Sequence, residues 1–215
     1  MTDPSKTSIT VILDKSGSMS NVRGDTIGGY NTFVQTQKEL PGTCDISLIQ
    51  FSNSSEFTYK SKNIRELTEG VNASQYVPQG NTALLDAIGK AVIEKGKELA
   101  DLPEDQRPGK VLFVIITDGQ ENASVEFNGA QIKQMIEHQQ QAYQWDFTFL
   151  GANIDTFATA DSLGISNDKA LSFSTTKAGG AVRAFAAVSN YTKGTRGSKS
   201  AASVKYSDTD RTSNS

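Results

Sequence analysis

Residues 9–18 read Ile-Thr-Val-Ile-Leu-Asp-Lys-Ser-Gly-Ser, and the predicted fold is built around this stretch. Its β-branched and aliphatic residues predict a buried strand. The strand ends at Asp14, and Ser16 and Ser18 follow at alternate positions. Gly17 lets the loop bend tightly, so one carboxylate and two hydroxyls can surround a single point. Such an oxygen shell suits a hard divalent cation, but this loop alone cannot complete it.

Two further segments offer oxygen ligands. Residues 111–117 form a second strongly apolar run, Val-Leu-Phe-Val-Ile-Ile-Thr, which is followed by Asp118 and Gly119. Between the two runs, Gln-Gly-Asn-Thr at 79–82 predicts a turn that opens an amphipathic helix, with Thr82 near the helix start. Ligands collect beyond the carboxyl ends of the strands in an open parallel sheet. We therefore expect these three loops to meet there.

Hydrophobic periodicity in the rest of the chain predicts helices that alternate with strands. A polar turn after residue 51 joins two segments as an antiparallel hairpin. The predicted helices cover 25–40, a stretch that starts at 82, 131–143, a short segment after 155, and 177–193. The remaining predicted strands cover 44–51, 56–60, 145–150 and 170–174.

Asp14-x-Ser16-x-Ser18, then Thr82, then Asp118-Gly119 together resemble the metal-ion-dependent adhesion site (MIDAS) of von Willebrand factor type A domains. Through the order of elements, the resemblance extends from about residue 8 to about residue 193. Asp-x-Ser-x-Ser alone is a weak signal, since Asp and Ser are also common turn and capping residues. The threonine turn and the Thr-Asp-Gly segment make the combination specific, and all five motif positions match.

The resemblance implies an α/β fold with a doubly wound, mostly parallel central sheet. We expect about six strands, one of them an antiparallel edge strand, and helices on both faces. The domain would cover residues 8–193, after an N-terminal extension at 1–7. Residues 194–215 are mostly polar, so we expect a flexible tail, because they bury too little apolar surface to offset the entropy of ordering. Val204 and Tyr206 are the only anchors that the tail offers.

In the family, the two serines and the threonine coordinate the metal directly, which implies Ser16, Ser18 and Thr82 as direct ligands of Mg²⁺ or Mn²⁺. Asp14 and Asp118 would act partly through water. A shell of mostly neutral hydroxyls compensates the charge of the cation poorly, so it favours an anionic oxygen from outside. We therefore expect the metal to hold an Asp or Glu side chain of a protein partner. Polar side chains that flank the site in the sequence are Arg23, Asn81, Gln120, Glu121 and Asn122.

Composition argues against other classes of partner. The 215 residues carry a net charge of -3, without the concentrated basic character of a nucleic-acid binder. No stretch approaches the roughly 20 apolar residues that span a bilayer, and the first residues lack an apolar signal core. The single cysteine, Cys44, excludes an internal disulfide and fits a reducing compartment. We expect a cytoplasmic protein of a bacterium or phage, with neither a membrane nor a nucleic acid as partner.

An enzyme is the less favoured interpretation. Phosphatases of the haloacid-dehalogenase type also place an Asp and Mg²⁺ at the end of the first strand, but they need a second carboxylate where this chain has Ser16. The sequence has no P-loop, no dinucleotide-binding glycine motif and no nucleophile elbow, and His138 is its only histidine. A third alternative is a structural or accessory subunit with a silent metal site, such as an ATPase partner, a stress-response protein or a virion component.

Overall fold

The computed structural model describes residues 1–198 and 203–214, so residues 199–202 and 215 of the predicted tail lie outside the described part. The strands of its sheet are β1 (Asp3–Asp14), β2 (Thr43–Phe51), β3 (Ser55–Asn63), β4 (Pro108–Thr117), β5 (Asp146–Gly151) and β6 (Ala170–Ser172). They lie in the order β3-β2-β1-β4-β5-β6. Each pair of neighbours is parallel except β2 and β3. The predicted mostly parallel sheet with one antiparallel edge strand is confirmed.

The α-helices lie on both faces of this sheet. They are α1 (Arg23–Lys38), α2 (Leu84–Ala100), α3 (Gly129–Tyr143), α4 (Thr156–Ser162), α5 (Gly180–Gly197) and α6 (Asp208–Asn214). Ile9, Val11 and Leu13 of β1 pack in one hydrophobic cluster with α1 and α5, whereas Ile12 packs in a second cluster with α2 and α3. None of the helices in the described ranges is both long enough and apolar enough to cross a membrane.

The first strand begins nearer the N-terminus than the sequence predicted. Asp3 pairs with Pro108 of β4, and Lys6 and Thr7 pair with β2. Residues 3–7 are therefore part of β1, and the expected N-terminal extension is reduced to the first two residues. Most side chains at the start of β1 are at least partly exposed, so the apolar pattern that marks a buried strand is missing there.

The C-terminal residues also differ from the flexible tail that composition predicted. Tyr206 is only 4% exposed, and its ring centroid lies 4.9 Å from that of Tyr191 in α5. Its hydroxyl shares a 2.7 Å hydrogen bond with the hydroxyl of Thr148 in β5, and Val204 packs against the same hydrophobic cluster. One buried aromatic side chain holds this polar segment against the sheet, a contact that mean composition does not reveal.

We expect Tyr206→Ala to lower the free energy of unfolding by about 3 kcal/mol, because it empties a buried aromatic site. Tyr206→Phe removes only the hydroxyl and should lower it by about 1 kcal/mol. Tyr143→Ala is the control, since Tyr143 is 61% exposed. Urea unfolding of the full chain measures all three variants. Equal effects of Tyr206→Ala and Tyr143→Ala would show that residues around 206 do not dock on the sheet.

Candidate metal site

The two acidic residues of the predicted site lie beside each other at one edge of the sheet. Asp14 is the last residue of β1, and Asp118 directly follows β4, the parallel neighbour of β1. Both carboxylates are buried, with side chains 0% and 2% exposed. Ser16 and Thr82 are buried as well, whereas Ser18 is exposed. The structure thus brings the five predicted residues together at this edge of the sheet, with Ser18 exposed to solvent.

Backbone hydrogen bonds tie the loop after β1 to the turn before α2. The N–H of Gly17 donates to the carbonyl of Gly80 at 3.0 Å, and the N–H of Gln79 donates to the carbonyl of Lys15 at 2.8 Å. Gly80 has a φ of +77°, a conformation that side chains with a Cβ rarely adopt. A glycine at this position therefore allows the turn that places Thr82 next to the loop of Ser16 and Ser18.

The hydroxyl groups of the three loops share one small space. Ser16 Oγ and Ser18 Oγ are 3.0 Å apart, and Ser18 Oγ donates to Asp118 Oδ1 at 2.5 Å. A Cβ added to Gly119 would lie 3.0 Å from Thr82 Oγ1 and 3.5 Å from Ser18 Oγ. Gly119 therefore leaves room for these oxygens to approach each other.

Asp14 is held in place by Ser16 and by two residues outside the predicted set of five, Thr117 and Tyr76. Its Oδ1 accepts the N–H of Ser16 at 2.6 Å, and its Oδ2 accepts the hydroxyl of Thr117 at 2.6 Å. Its backbone carbonyl accepts the hydroxyl of Tyr76 at 2.6 Å. Thr117 belongs to the Thr-Asp-Gly segment of the motif, so its position in the sequence is a local signal for this role. Tyr76 lies in a turn-rich segment without periodicity, which offers no such signal.

Asp118 has an oxygen without a partner. Its Oδ2 is buried and accepts no hydrogen bond in the described part of the chain. Burial, opposed by the hydrogen bond from Ser18 and helped by the charge of Asp14, raises the pKa of Asp118 from 3.8 to about 6. Burial also raises the pKa of Asp14, against the hydrogen bonds from Thr117 and Ser16. A cation beside these carboxylates would lower both pKa values.

The residues fit a hard divalent cation. At Mg–O distances of 2.0–2.1 Å, neighbouring ligands of an octahedral ion are about 3 Å apart, close to the separation of the two serine hydroxyls. No cluster of three His, Cys, Asp or Glu side chains able to hold a metal occurs within residues 1–198 and 203–214. The donor set is therefore hydroxyl-rich, which suits Mg²⁺ or Mn²⁺ better than a softer metal.

The flanking residues named from the sequence mostly hold the loops. Asn122 accepts the N–H of Thr82 at 2.9 Å through its side-chain oxygen. Glu121 accepts backbone N–H groups of α2 and of its own loop. Arg23 donates through Nε to the carbonyl of Tyr76 at 2.9 Å. The side chains of Asn81 and Gln120 are exposed, and they form no such loop-holding hydrogen bond in the described residues.

We expect the Asp118 carboxyl group to reduce the stability of the metal-free protein as the pH rises. Because the folded-state pKa of Asp118 is about 6, above its ordinary 3.8, the folded chain binds more protons than the unfolded chain between these values. The contribution of Asp118 to stability therefore falls between a pH of 3.8 and a pH of about 6. Above this range its full unfavourable effect on folding is present. Asp118→Asn removes the charge and should stabilise the metal-free protein by about 2 kcal/mol at a pH of about 8.

Urea unfolding with a chelator present, at a pH of about 5 and of about 8, measures this difference. Asp105→Asn is the control, since Asp105 is exposed. If Asp118→Asn were no more stable than the unchanged chain at the higher pH, the buried Asp118 charge would carry no such penalty.

Solved structures share this architecture at low sequence identity. The PilB minor pilin from Streptococcus sanguinis aligns with a TM-score of 0.63 and 13% identity, over 87% of this chain and 61% of the pilin. A von Willebrand factor type A structure from Catenulispora acidiphila gives 0.57 and 13%, over 88% and 43%. Proximal thread matrix protein 1 from the mussel byssus, with a zinc-occupied MIDAS motif, gives 0.52 and 13%, over 79% and 41%. The chain thus spans less than two thirds of each of these three structures.

At such identities the structural likeness shows the fold alone. No match is found among the curated proteins. The model of the von Willebrand factor type A domain family matches residues 8–186, which is most of the chain. Proteins built on this domain serve in adhesion and protein interaction. The chain belongs to the von Willebrand factor type A domain family.

Proposed function

We propose that this domain binds Mg²⁺ or Mn²⁺ and uses the ion to hold an Asp or Glu side chain of a protein partner. The direct ligands would be Ser16, Ser18 and Thr82, with Asp14 and Asp118 acting partly through water. The observation that carries this proposal is the buried Asp118 Oδ2, which has no hydrogen-bond partner in the described residues and lies beside the clustered hydroxyls. A cation at this position would satisfy that oxygen.

The preference for a partner carboxylate follows from the charges at the site. Both carboxylate oxygens of Asp14 accept hydrogen bonds from the chain itself, and Asp118 Oδ1 accepts one from Ser18. Apart from Asp118 Oδ2, the other proposed ligands are three neutral hydroxyls, so the groups in direct contact with a bound divalent cation compensate its charge only in part. The exposed Ser18 marks the side on which an anionic oxygen from a partner can reach the ion.

The mussel-byssus structure supports metal binding at the corresponding site of this fold, since its MIDAS motif holds zinc. Zinc in proteins is mostly bound by Cys, His and carboxylate ligands, whereas this chain offers mainly hydroxyl oxygens. Oxygen ligands of this kind favour Mg²⁺ or Mn²⁺. We therefore propose one of these two ions for this domain.

We propose binding without catalysis. Hydrolysis at such a site needs a general acid or base beside the metal. Ser16 occupies the position at which the haloacid-dehalogenase phosphatases carry their second carboxylate. Glu121 accepts N–H groups from Leu85, Ala123 and Ser124, so its carboxylate is already engaged in holding the loop.

The proposed setting is the cytoplasm of a bacterium or phage-infected cell. The single cysteine suits a reducing compartment. The net charge of -3 gives no support for a nucleic-acid partner. A protein partner with an exposed acidic side chain is the kind of ligand that this site favours.

Thr82→Val should weaken Mg²⁺ and Mn²⁺ binding at least about tenfold, because it removes one proposed ligand with little change in volume. Ser20→Ala is the control, since Ser20 lies in the segment after β1 and its hydroxyl donates to the carbonyl of Gly17. Calorimetric titration of the full chain measures both. Unchanged metal affinity in Thr82→Val would contradict the assignment of Thr82 as a ligand.

The partner is tested by affinity capture from a native lysate, with and without chelator. A protein that is captured with Mg²⁺, released by chelator and missed by Thr82→Val would support the metal-bridged contact. Capture that is indifferent to chelator and to this variant would instead support the accessory-subunit alternative, in which the metal site is silent.

A further inference from the structure

A cavity of about 410 Å³ lies between the C-terminal half of α2 and strands β1, β2 and β3. We call it the α2 cavity and define it by Thr10, Ser47, Phe57, Ser61, Lys95 and Glu98. Its volume falls within the range of small-molecule sites. Thr10 precedes Asp14 by four residues on β1, a separation of about 13 Å along the strand. The cavity is therefore distinct from the candidate metal site, whose five residues do not line it.

Two residues with hydroxyl side chains lie at the floor of the α2 cavity. Thr10 and Ser47 are direct neighbours in the parallel pairing of β1 and β2, so their side chains lie side by side on one face. Thr10 is 1% exposed, and its Oγ1 has no hydrogen-bond partner in the described residues. Ser47 Oγ accepts the N–H of Ser61 at 2.9 Å. Since buried polar groups are normally paired, the Thr10 hydroxyl indicates a place for a ligand hydroxyl.

The wall of the cavity contains a strained residue. Ile46 pairs with Lys62 and Leu48 pairs with Tyr59, so β3 has one extra residue opposite Ser47. Within this bulge Ser61 has a φ of +42°, which is uncommon for a residue with a side chain. Strain of this kind concentrates at functional sites when the surrounding structure holds it in place.

Hydrogen bonds hold the strained Ser61 against α2. Its Oγ accepts from Lys95 Nζ at 2.8 Å and donates to Glu98 at 2.6 Å. Lys95 is 3% exposed and forms a 2.9 Å ion pair with Glu98. The polar wall is therefore ordered before any ligand arrives, which lowers the entropic penalty of binding.

The charges that line the cavity cancel. Its lysines and carboxylates, three of each, are Lys60, Lys95, Lys97, Glu94, Glu98 and Asp101. An anionic ligand would meet the three carboxylates and a cationic ligand would meet the three ammonium groups, so neither sign of charge is favoured. Phe57 and Ala91 add apolar surface next to the hydroxyls. This combination suits a neutral ligand that carries hydroxyl groups and an apolar face.

We propose that the α2 cavity binds a small neutral polyhydroxylated molecule, a monosaccharide or cyclic polyol. Its hydroxyls would pair with Thr10 and Ser47, and its C–H surface would pack against Phe57. The carboxylates at the wall and rim accept further ligand O–H groups, and the lysines donate to ligand oxygens. This site is independent of the proposed metal-bridged contact.

The test is ligand-observed NMR on the full chain with glucose, ribose and myo-inositol, each measured alone. Glucuronate and glucosamine are the matched charged probes, because each keeps the sugar ring and adds one charge. We expect saturable binding of at least one neutral probe at millimolar concentration and weaker binding of both charged probes. Binding should be the same with Mg²⁺ and with chelator. The result can therefore be interpreted even if the metal proposal fails.

Thr10→Val removes the unpaired hydroxyl at almost constant volume and should weaken binding of the neutral probe about fivefold. Thr192→Val is the matched control, since Thr192 Oγ1 is also buried without a partner in the described residues, but on α5 at the other face of the sheet. Thermal unfolding verifies that both variants fold. The proposal is overturned by the absence of saturable binding, by tighter binding of a charged probe, or by equal affinities of Thr10→Val and Thr192→Val.

Discussion

The buried carboxylate of Asp14 is the interaction on which the metal site depends. It joins the loop after β1 to the end of β4, because one oxygen accepts the N–H of Ser16 and the other accepts the hydroxyl of Thr117. Burying a carboxylate costs free energy, and hydrogen bonds to both of its oxygens offset much of that cost. These two hydrogen bonds fix the conformation of the loop after β1, in which the hydroxyls of Ser16 and Ser18 lie near Asp118.

Asp118 Oδ2 and Thr10 Oγ1, two of the buried oxygens without partners in the described residues, lie in different regions of the domain. Asp118 Oδ2 lies at the carboxyl edge of the sheet, where a carboxylate can meet a cation. Thr10 Oγ1 is buried under α2, and Thr10 lines a cavity with balanced charges. The same rule, that buried polar groups find partners, thus points to a cation in one place and to a ligand hydroxyl in the other.

The prediction from sequence worked best where the local signal was strong. Apolar runs and helical periodicity located the central strands and most helices, since these segments bury one face or both. The signal failed at the two ends of the chain. Residues 3–7 extend β1 although most of their side chains are at least partly exposed, and Tyr206 docks within a segment whose composition is otherwise polar. Residues 3–7 are ordered by backbone pairing with neighbouring strands, and the segment around Tyr206 is ordered by one buried side chain. Neither contact can be predicted from average composition.

The sequence by itself determined the α/β class, the mostly parallel sheet and the five candidate metal-site residues. It could do so because the motif residues lie directly after apolar strands or at a helix start, and such signals are local. The role of those residues as metal ligands stays a prediction. Only the tertiary structure decided that Thr117 and Tyr76 hold Asp14 and that a bulge turns Ser61 towards α2. These contacts join residues distant in the chain, and they depend on strand register and bulge position, which a single sequence does not encode in any short pattern.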